Sequence, residues 1–258
     1  MNSALPTFHQ PALENLLQCA QPLIFEVQVD GKTMYSGSGT LFYVLLDGRG
    51  YAVGTRHSLK PEAPEAICLL PNDTSLRLLR HGKAFFVPAE DEGDAALDVV
   101  VTEFDLGHTL GHPETASVRL IDLSQAVPDL LPPFESLSLA VLGFPDEVSE
   151  IDYVEEIIHR ERRVLHCTYE GVRDPSHIHA ARVTNEHGLS SFSGFSGGPV
   201  FGWRKTAADS GEVVLCGMAT HGTVASGLVH FLSSETIIAA ILASRDYETR
   251  NQPAASVD

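Results

Sequence analysis

An all-β protein of two antiparallel, six-stranded-type barrels with a C-terminal helix is what this 258-residue chain predicts. Three observations carry the expectation. Short apolar bursts, many alternating with period two, recur between Gly, Pro and Asp turn residues. The bursts fall into two groups, separated by a Pro-, Asp- and Leu-rich stretch from Gly107 to Phe134. Nothing resembles the strand–helix–strand alternation that a parallel sheet requires.

Residues 1–23 form a lead segment, helix-like from Ala12 to Ala20, and the first barrel is expected over 24–106. There LIFEVQVDGKTMYSGSGTLFYVLLDGRGYAVGTRH reads as three strands joined by two Asp-Gly turns, since Asp-Gly readily supplies the positive φ angles of a tight hairpin. Phe25, Val27 and Val29, then Leu41, Tyr43 and Leu45, mark half-buried strands. AICLLP, FFVPA and LDVVVTEF continue the pattern, and 107–135 is read as a connection. The second barrel and closing helix are expected over 136–246. Its strands are LSLAVLGFP, RRVLHCTYEG, HIHAARV, VVLCGMATHG and GLVHFLS. Ser233 or Ser234 caps the helix SETIIAAILASRDY, whose Ile237, Ile238, Ile241 and Leu242 lie on one face. Residues 247–258 form a tail expected to fray.

Composition narrows the function classes. Seventeen basic against 34 acidic residues give a formal charge of −17, which disfavours nucleic acid and anionic membrane surfaces. With 43% apolar and 20% charged residues the chain is globular in composition. Cys19, Cys68, Cys167 and Cys216 are far apart and form no CxxC pair, so a zinc ribbon or a thioredoxin-like site is unsupported. The N-terminus has no basic start and carries Glu14 in its only apolar stretch, unlike a secretory signal. Val213 to Ser234 lacks formal charge and is long enough to span a bilayer. Its glycines and histidines and its short apolar bursts instead suit two strands and a turn. A cytoplasmic protein with reduced thiols is expected.

The richest stretch for chemistry is Ser193-Gly194-Phe195-Ser196-Gly197-Gly198-Pro199-Val200. A serine flanked by glycines can expose its hydroxyl beside backbone N–H groups, here of Gly194 and Ser196, able to hold a tetrahedral oxyanion. Serine attacks well only when a base takes its proton and a carboxylate orients that base. Upstream, His57 ends YAVGTRH, and Asp98 opens the apolar run DVVVTEF. Asp94 competes for that role, although an uninterrupted β-branched run favours Asp98.

These segments, in this order, resemble the chymotrypsin-like (trypsin-fold) serine peptidases, closest in pattern to bacterial HtrA-type protease domains without a PDZ module. The resemblance spans roughly residues 24 to 245: GSGTLF, YAVGTRH, DVVVTEF, VLGFP, GFSGGPVF, GMATHG and GLVHFL each stand where the family has a corresponding segment. It implies a catalytic triad of Ser196 as nucleophile, His57 as general base then acid, and Asp98 as orienting carboxylate. It also implies an oxyanion hole at Gly194 and Ser196, a substrate-pairing strand at Thr220, His221 and Gly222, and a specificity pocket floored by Leu189, Ser190 and Ser191. Thr220 falls where the family often has a hydroxyl near the aspartate. No metal or organic cofactor is implied; the expected partner is a peptide or protein substrate, with a regulatory protein restraining the enzyme.

Three departures stand out. Gly54-Thr55-Arg56 replaces the family's usual Thr-Ala-Ala before the histidine. Phe195 replaces the aspartate that digestive relatives pair with a new N-terminal amine, so activation of that kind is not expected. No PDZ-like extension is expected after the last helix. The pocket floor carries no charge, and the nearest acid in sequence, Glu186, lies further back; cleavage after small or medium apolar residues is expected over Arg or Lys.

Gly194-Phe195-Ser196-Gly197-Gly198 also satisfies the esterase pattern GxSxG, but that elbow feeds a helix, whereas PVFGW reads as strand and turn. His177 and His179 share a strand face that could ligate metal without an indicated third ligand. His221 and His230 are expected to pack ordinarily or to reach the specificity pocket. A binding or scaffolding module that keeps the protease fold with little turnover is the alternative of a different class.

Overall fold

The computed structural model describes residues 16–59, 66–69, 79–80, 83–86, 97–104, 106–107, 118–123, 138–155, 157–173, 178–205 and 211–251. The N-terminal sheet comprises β1 (Ala20–Val29), β2 (Lys32–Leu46), β3 (Arg49–Gly54), β4 (Ile67–Leu69), β5 (Leu79–Arg80), β6 (Lys83–Phe86), β7 (Val100–Phe104) and β8 (Ile121–Asp122). These strands run in the order β5-β4-β1-β2-β3-β7-β6 as a curled half-barrel, and β8 pairs in parallel with β2. The C-terminal half contains β9 (Ser138–Gly143), a hairpin of β10 (Ser149–Asp152) and β11 (Ile157–Arg160), β12 (Arg163–Arg173), β13 (Ile178–Val183), β14 (Pro199–Lys205), β15 (Gly211–Thr223) and β16 (Leu228–Ser233). Six of them close an antiparallel barrel in the order β12-β13-β16-β15-β14-β9. The protein is all-β with two barrel units and a C-terminal helix, an architecture compatible with a chymotrypsin-like fold.

Local chemistry accounts for the hairpins. Asp30-Gly31 and Asp47-Gly48 all have positive φ, between 50° and 75°, and close β1–β2 and β2–β3 as two-residue turns. The uncharged run after Val213 folds as β15, a turn and β16. Among the described residues no helix is long and apolar enough to cross a membrane.

Each barrel has its own interior, and a third cluster joins them. Phe42, Val44, Tyr51, Val53 and Val101 of the first half pack with Leu142, Phe144, Phe201, Met218 and Leu232 of the second. The closing helix α2 (Ser234–Asn251) caps that cluster through Ile237, Ala240 and Ile241. Ser233 is its N-cap, its hydroxyl receiving the Thr236 N–H at 3.2 Å.

Several boundaries differ from the sequence reading. β1 begins at Ala20, inside the expected lead, because Cys19 and Ala20 are buried in the inter-barrel cluster. β3 stops at Gly54, so His57 stands not at a strand end but in a one-turn helix, α1 (Arg56–Leu59). β8 lies within the expected connection, and α2 runs past residue 246 to Asn251. The buried face of α2 is Ile237, Ala240, Ile241 and Ser244, while Leu242 points outward at 44% exposure. A helix meeting a curved barrel buries a narrow stripe, and Leu242 falls outside it.

Ile237→Ala should therefore cost about 2–5 kcal/mol of stability and Leu242→Ala less than about 0.5 kcal/mol, read from denaturant midpoints. Equal losses would contradict this docking of α2.

Candidate active site

Ser196 lies on the loop entering β14, held between the two halves. Thr40, wholly buried on β2, donates its N–H to the Ser196 carbonyl at 2.8 Å and its hydroxyl to the Gly194 carbonyl at 2.6 Å. Glycine is obligatory at two points of this loop. Gly194 has φ +95°, and a Cβ there would lie 2.2 Å from the Phe144 carbonyl; Gly197 has φ +86°, with the Thr40 carbonyl 2.0 Å from the Cβ position.

The loop's hydrogen bonds decide where its N–H groups point. The Ser193 carbonyl accepts the Asp146 N–H at 3.2 Å, and the Phe195 carbonyl accepts the Gly198 N–H at 2.9 Å. A trans peptide directs its N–H opposite its carbonyl, so the N–H groups of Gly194 and Ser196 turn away from those partners. Among the described residues neither has an acceptor. Such a pair of unengaged donors beside a hydroxyl can receive an oxyanion.

His57 and Asp98 meet twice. The His57 backbone N–H donates to Asp98 Oδ1 at 2.8 Å, and His57 Nδ1 lies 2.5 Å from Asp98 Oδ2. Backbone and ring are thus set by one carboxylate, which leaves Nε2 as the outward nitrogen. Thr55, in the unusual Gly-Thr-Arg segment, is fully buried with its hydroxyl 2.7 Å from Ser58 Oγ. Ser58 Oγ and the Ser196 carbonyl both crowd Gly39, at 2.9 and 3.0 Å from its Cβ position, which brings the His57 turn against the serine loop. Asp94 lies outside the described residues.

Ser196 Oγ donates to the Thr220 carbonyl at 2.7 Å and, among the described residues, makes no hydrogen bond with His57. The Thr220 hydroxyl does not engage Asp98; it donates to the His230 carbonyl at 3.3 Å and lies 3.0 Å from His221 Nδ1. The His221 and His230 rings stack with centroids 4.4 Å apart and planes 11° from parallel. Desolvation, then the charge of His57, lowers the His221 pKa, against an upward pull from Asp98. Desolvation, then His221 and Arg173, lowers that of His230.

Leu189 is buried in the second barrel with Phe192, Phe195 and Phe231. Ser190 is exposed, its N–H donating to the Glu147 carboxylate at 3.0 and 3.1 Å and its hydroxyl also bonded there. The segment expected to be free of charge therefore has a carboxylate attached, supplied not by Glu186 but by a residue 43 positions upstream. Ser191 is exposed and accepts the Ser193 N–H at 3.0 Å, while Gly222 pairs with Val229. Phe195 is buried edge-on against Phe192, with its ring over Gly143.

The serine leads into strand β14 within an antiparallel barrel, which is incompatible with the esterase elbow. The four cysteines are buried thiols outside any disulfide, and burial pushes Cys167 and Cys216 up to about 12, far from a thiolate nucleophile at neutral pH. His179 is hydrogen-bonded to the Tyr169 hydroxyl at 2.9 Å and stacked on Phe231; His177 lies outside the described residues. Among the described residues, no group of three or more His, Cys, Asp or Glu side chains could hold a metal ion.

Sequence reading missed Thr40, Asp146, Glu147 and Arg160. Thr40 sits inside GSGTLF, a segment noted only as a strand; the others lie around a 3₁₀ turn (Asp146–Val148) and a hairpin whose polar sequences carry no periodic signal.

By NMR, the His221 and His230 midpoints should fall below the ordinary histidine value. Because the unfolded chain binds those protons more tightly, their contribution to stability is present at higher pH and is lost as pH falls through the ordinary histidine range. Midpoints at or above that value would contradict the packing of the stack. No protein-family model matches the chain, and no curated protein is significantly similar to it.

Proposed function

We propose that the chain is an intracellular trypsin-fold serine endopeptidase working through an acyl-enzyme. Ser196 Oγ attacks the peptide carbonyl while His57 Nε2 takes its proton, later giving it to the departing amine. Asp98 holds the imidazole in the required tautomer, and the N–H groups of Gly194 and Ser196 receive the oxyanion. Water, activated by the same histidine, then releases the acyl group. The observation that carries the reading is the doubly bonded His57–Asp98 pair, set across the barrel seam from a serine whose loop has two unengaged N–H groups. Four reduced, buried thiols support an intracellular setting. A regulatory protein that restrains the enzyme belongs to the same proposal.

A second reading, a protease-fold binding or scaffolding module with little turnover, is favoured by the resting bond of Ser196 Oγ to Thr220 rather than to His57. The two differ in one experiment. An active peptidase labels at Ser196 with a fluorophosphonate probe and loses the label in Ser196→Ala; a scaffold does not label.

Ser196→Ala or His57→Ala should lower peptide hydrolysis by about 10⁴-fold or more with the fold intact, and Asp98→Asn by a comparable order. Asp94→Asn should leave the rate unchanged; a crippling effect there would transfer the orienting role to Asp94. Because the base must be neutral, kcat/KM should fall on acidification. A flat profile would exclude histidine as the base.

A further inference from the structure

Among the described residues, Arg160 is the one charged residue that is buried, at 4% side-chain exposure, and the proposed chemistry does not use it. It ends β11, and its guanidinium crosses the backbone of β2 at Gly37, where the Cβ position is only 1.5 Å from Nη2. It pairs with Asp146, with Nη1 3.7 Å from Oδ1. Desolvation pulls the Arg160 pKa down and Asp146 pulls it back up. Among the described residues, Arg160 Nε and Asp146 Oδ1 are both buried without a hydrogen bond. A buried guanidinium so poorly supplied is costly unless its counter-charge stays in place.

Asp146 is the residue that holds Ser193. Its N–H binds the Ser193 carbonyl at 3.2 Å, and its Oδ2 accepts the Ser193 hydroxyl at 2.6 Å. The Ser193–Gly194 peptide therefore keeps its carbonyl on Asp146 and its N–H on the other side. A flipped peptide would place a carbonyl where the N–H now points. The hairpin bringing Arg160 is anchored on the first half: the Tyr153 hydroxyl donates to the Tyr35 carbonyl at 2.6 Å and accepts its N–H at 2.8 Å, and Ile158 packs on Ile24.

We propose that Asp146 and Arg160 are a positioning pair that locks the Ser193–Gly194 peptide with its N–H turned toward the oxyanion position. The inference rests on the peptidase reading for its catalytic consequence, but the orientation of the peptide can be measured without turnover. Neither residue touches substrate; each acts through Ser193.

The test is Arg160→Met, which removes the charge and keeps the length. With a peptide substrate, kcat should fall about 10²-fold, the scale of losing one oxyanion donor, while KM changes less than about 3-fold. In ¹⁵N-labelled protein carrying Ser196→Ala, the Gly194 amide resonance should shift or broaden on adding Arg160→Met. If the wild type hydrolyses peptide, and Arg160→Met leaves both kcat and the Gly194 amide unchanged, the pair does not position the peptide and the peptidase reading stands. If the wild type is inert, the peptidase reading fails, and the Gly194 amide alone decides whether the pair holds the peptide. Should Arg160→Met not fold, Ser193→Ala severs the link to the Asp146 carboxylate and leaves the ion pair. It should lower kcat about 10-fold and move the same amide, and an unmoved amide would overturn the proposal.

Discussion

Thr40 stands fully buried where the two halves meet, and the course of the Ser196 loop depends on it. Its N–H and hydroxyl hold the carbonyls of Ser196 and Gly194, and the same hydroxyl oxygen accepts the Phe144 N–H at 3.1 Å. Its own carbonyl fills the space that a side chain at Gly197 would need. Each polar group left unpaired at that depth costs about 1–3 kcal/mol. The loop of the second half is therefore shaped by a strand of the first, and sliding one half against the other would break several such bonds together.

The rest of the site follows from this seam. His57 and Asp98 flank strands β3 and β7, neighbours in the first sheet, while Ser196 and Thr220 belong to the closed barrel. The shared apolar cluster of Phe42, Phe144, Phe201 and Met218 keeps the two sets in register. On the far side of the loop, Asp146 and Glu147 bind Ser193 and Ser190 in succession, so the segment before the serine is held along its length. What stays free is small: a rotation about χ1 moves Ser196 Oγ off the Thr220 carbonyl, one staggered well to another. In the proposed mechanism that rotation precedes attack, and the donors for the oxyanion are already turned out.

Although the net charge is −17, positive neighbours act on the stacked histidines: His57 on His221, opposed by Asp98, and His221 and Arg173 on His230. Loss of water first, and neighbouring positive charge second, disfavour protonation of the stacked pair.

Much of the fold is legible in the sequence itself. Period-two alternation and two Asp-Gly turns placed the strands around β2, because both signals are local and depend only on backbone stereochemistry. The order His57, Asp98, Ser196 and the glycines around the serine marked residues that the fold brings to one seam. The polar hairpin β10–β11 and strand β8 were not legible, since SEID, IIHR and ID carry no apolar period and pair only because a sheet edge or a barrel wall is present. Nor was the choice of Ile237 and Ile241 over Leu242 as the buried face of α2, which the curvature of the barrel sets. Tertiary structure alone decided that Thr40 clamps the loop, that Glu147 rather than Glu186 reaches Ser190, and that Arg160 lies across Gly37 to face Asp146. These are contacts between residues tens to over a hundred positions apart, and no local propensity encodes them. The Thr40–Gly194 and Arg160–Gly37 contacts cross between the two halves, whereas Glu147–Ser190 and Arg160–Asp146 tie together loops within the second.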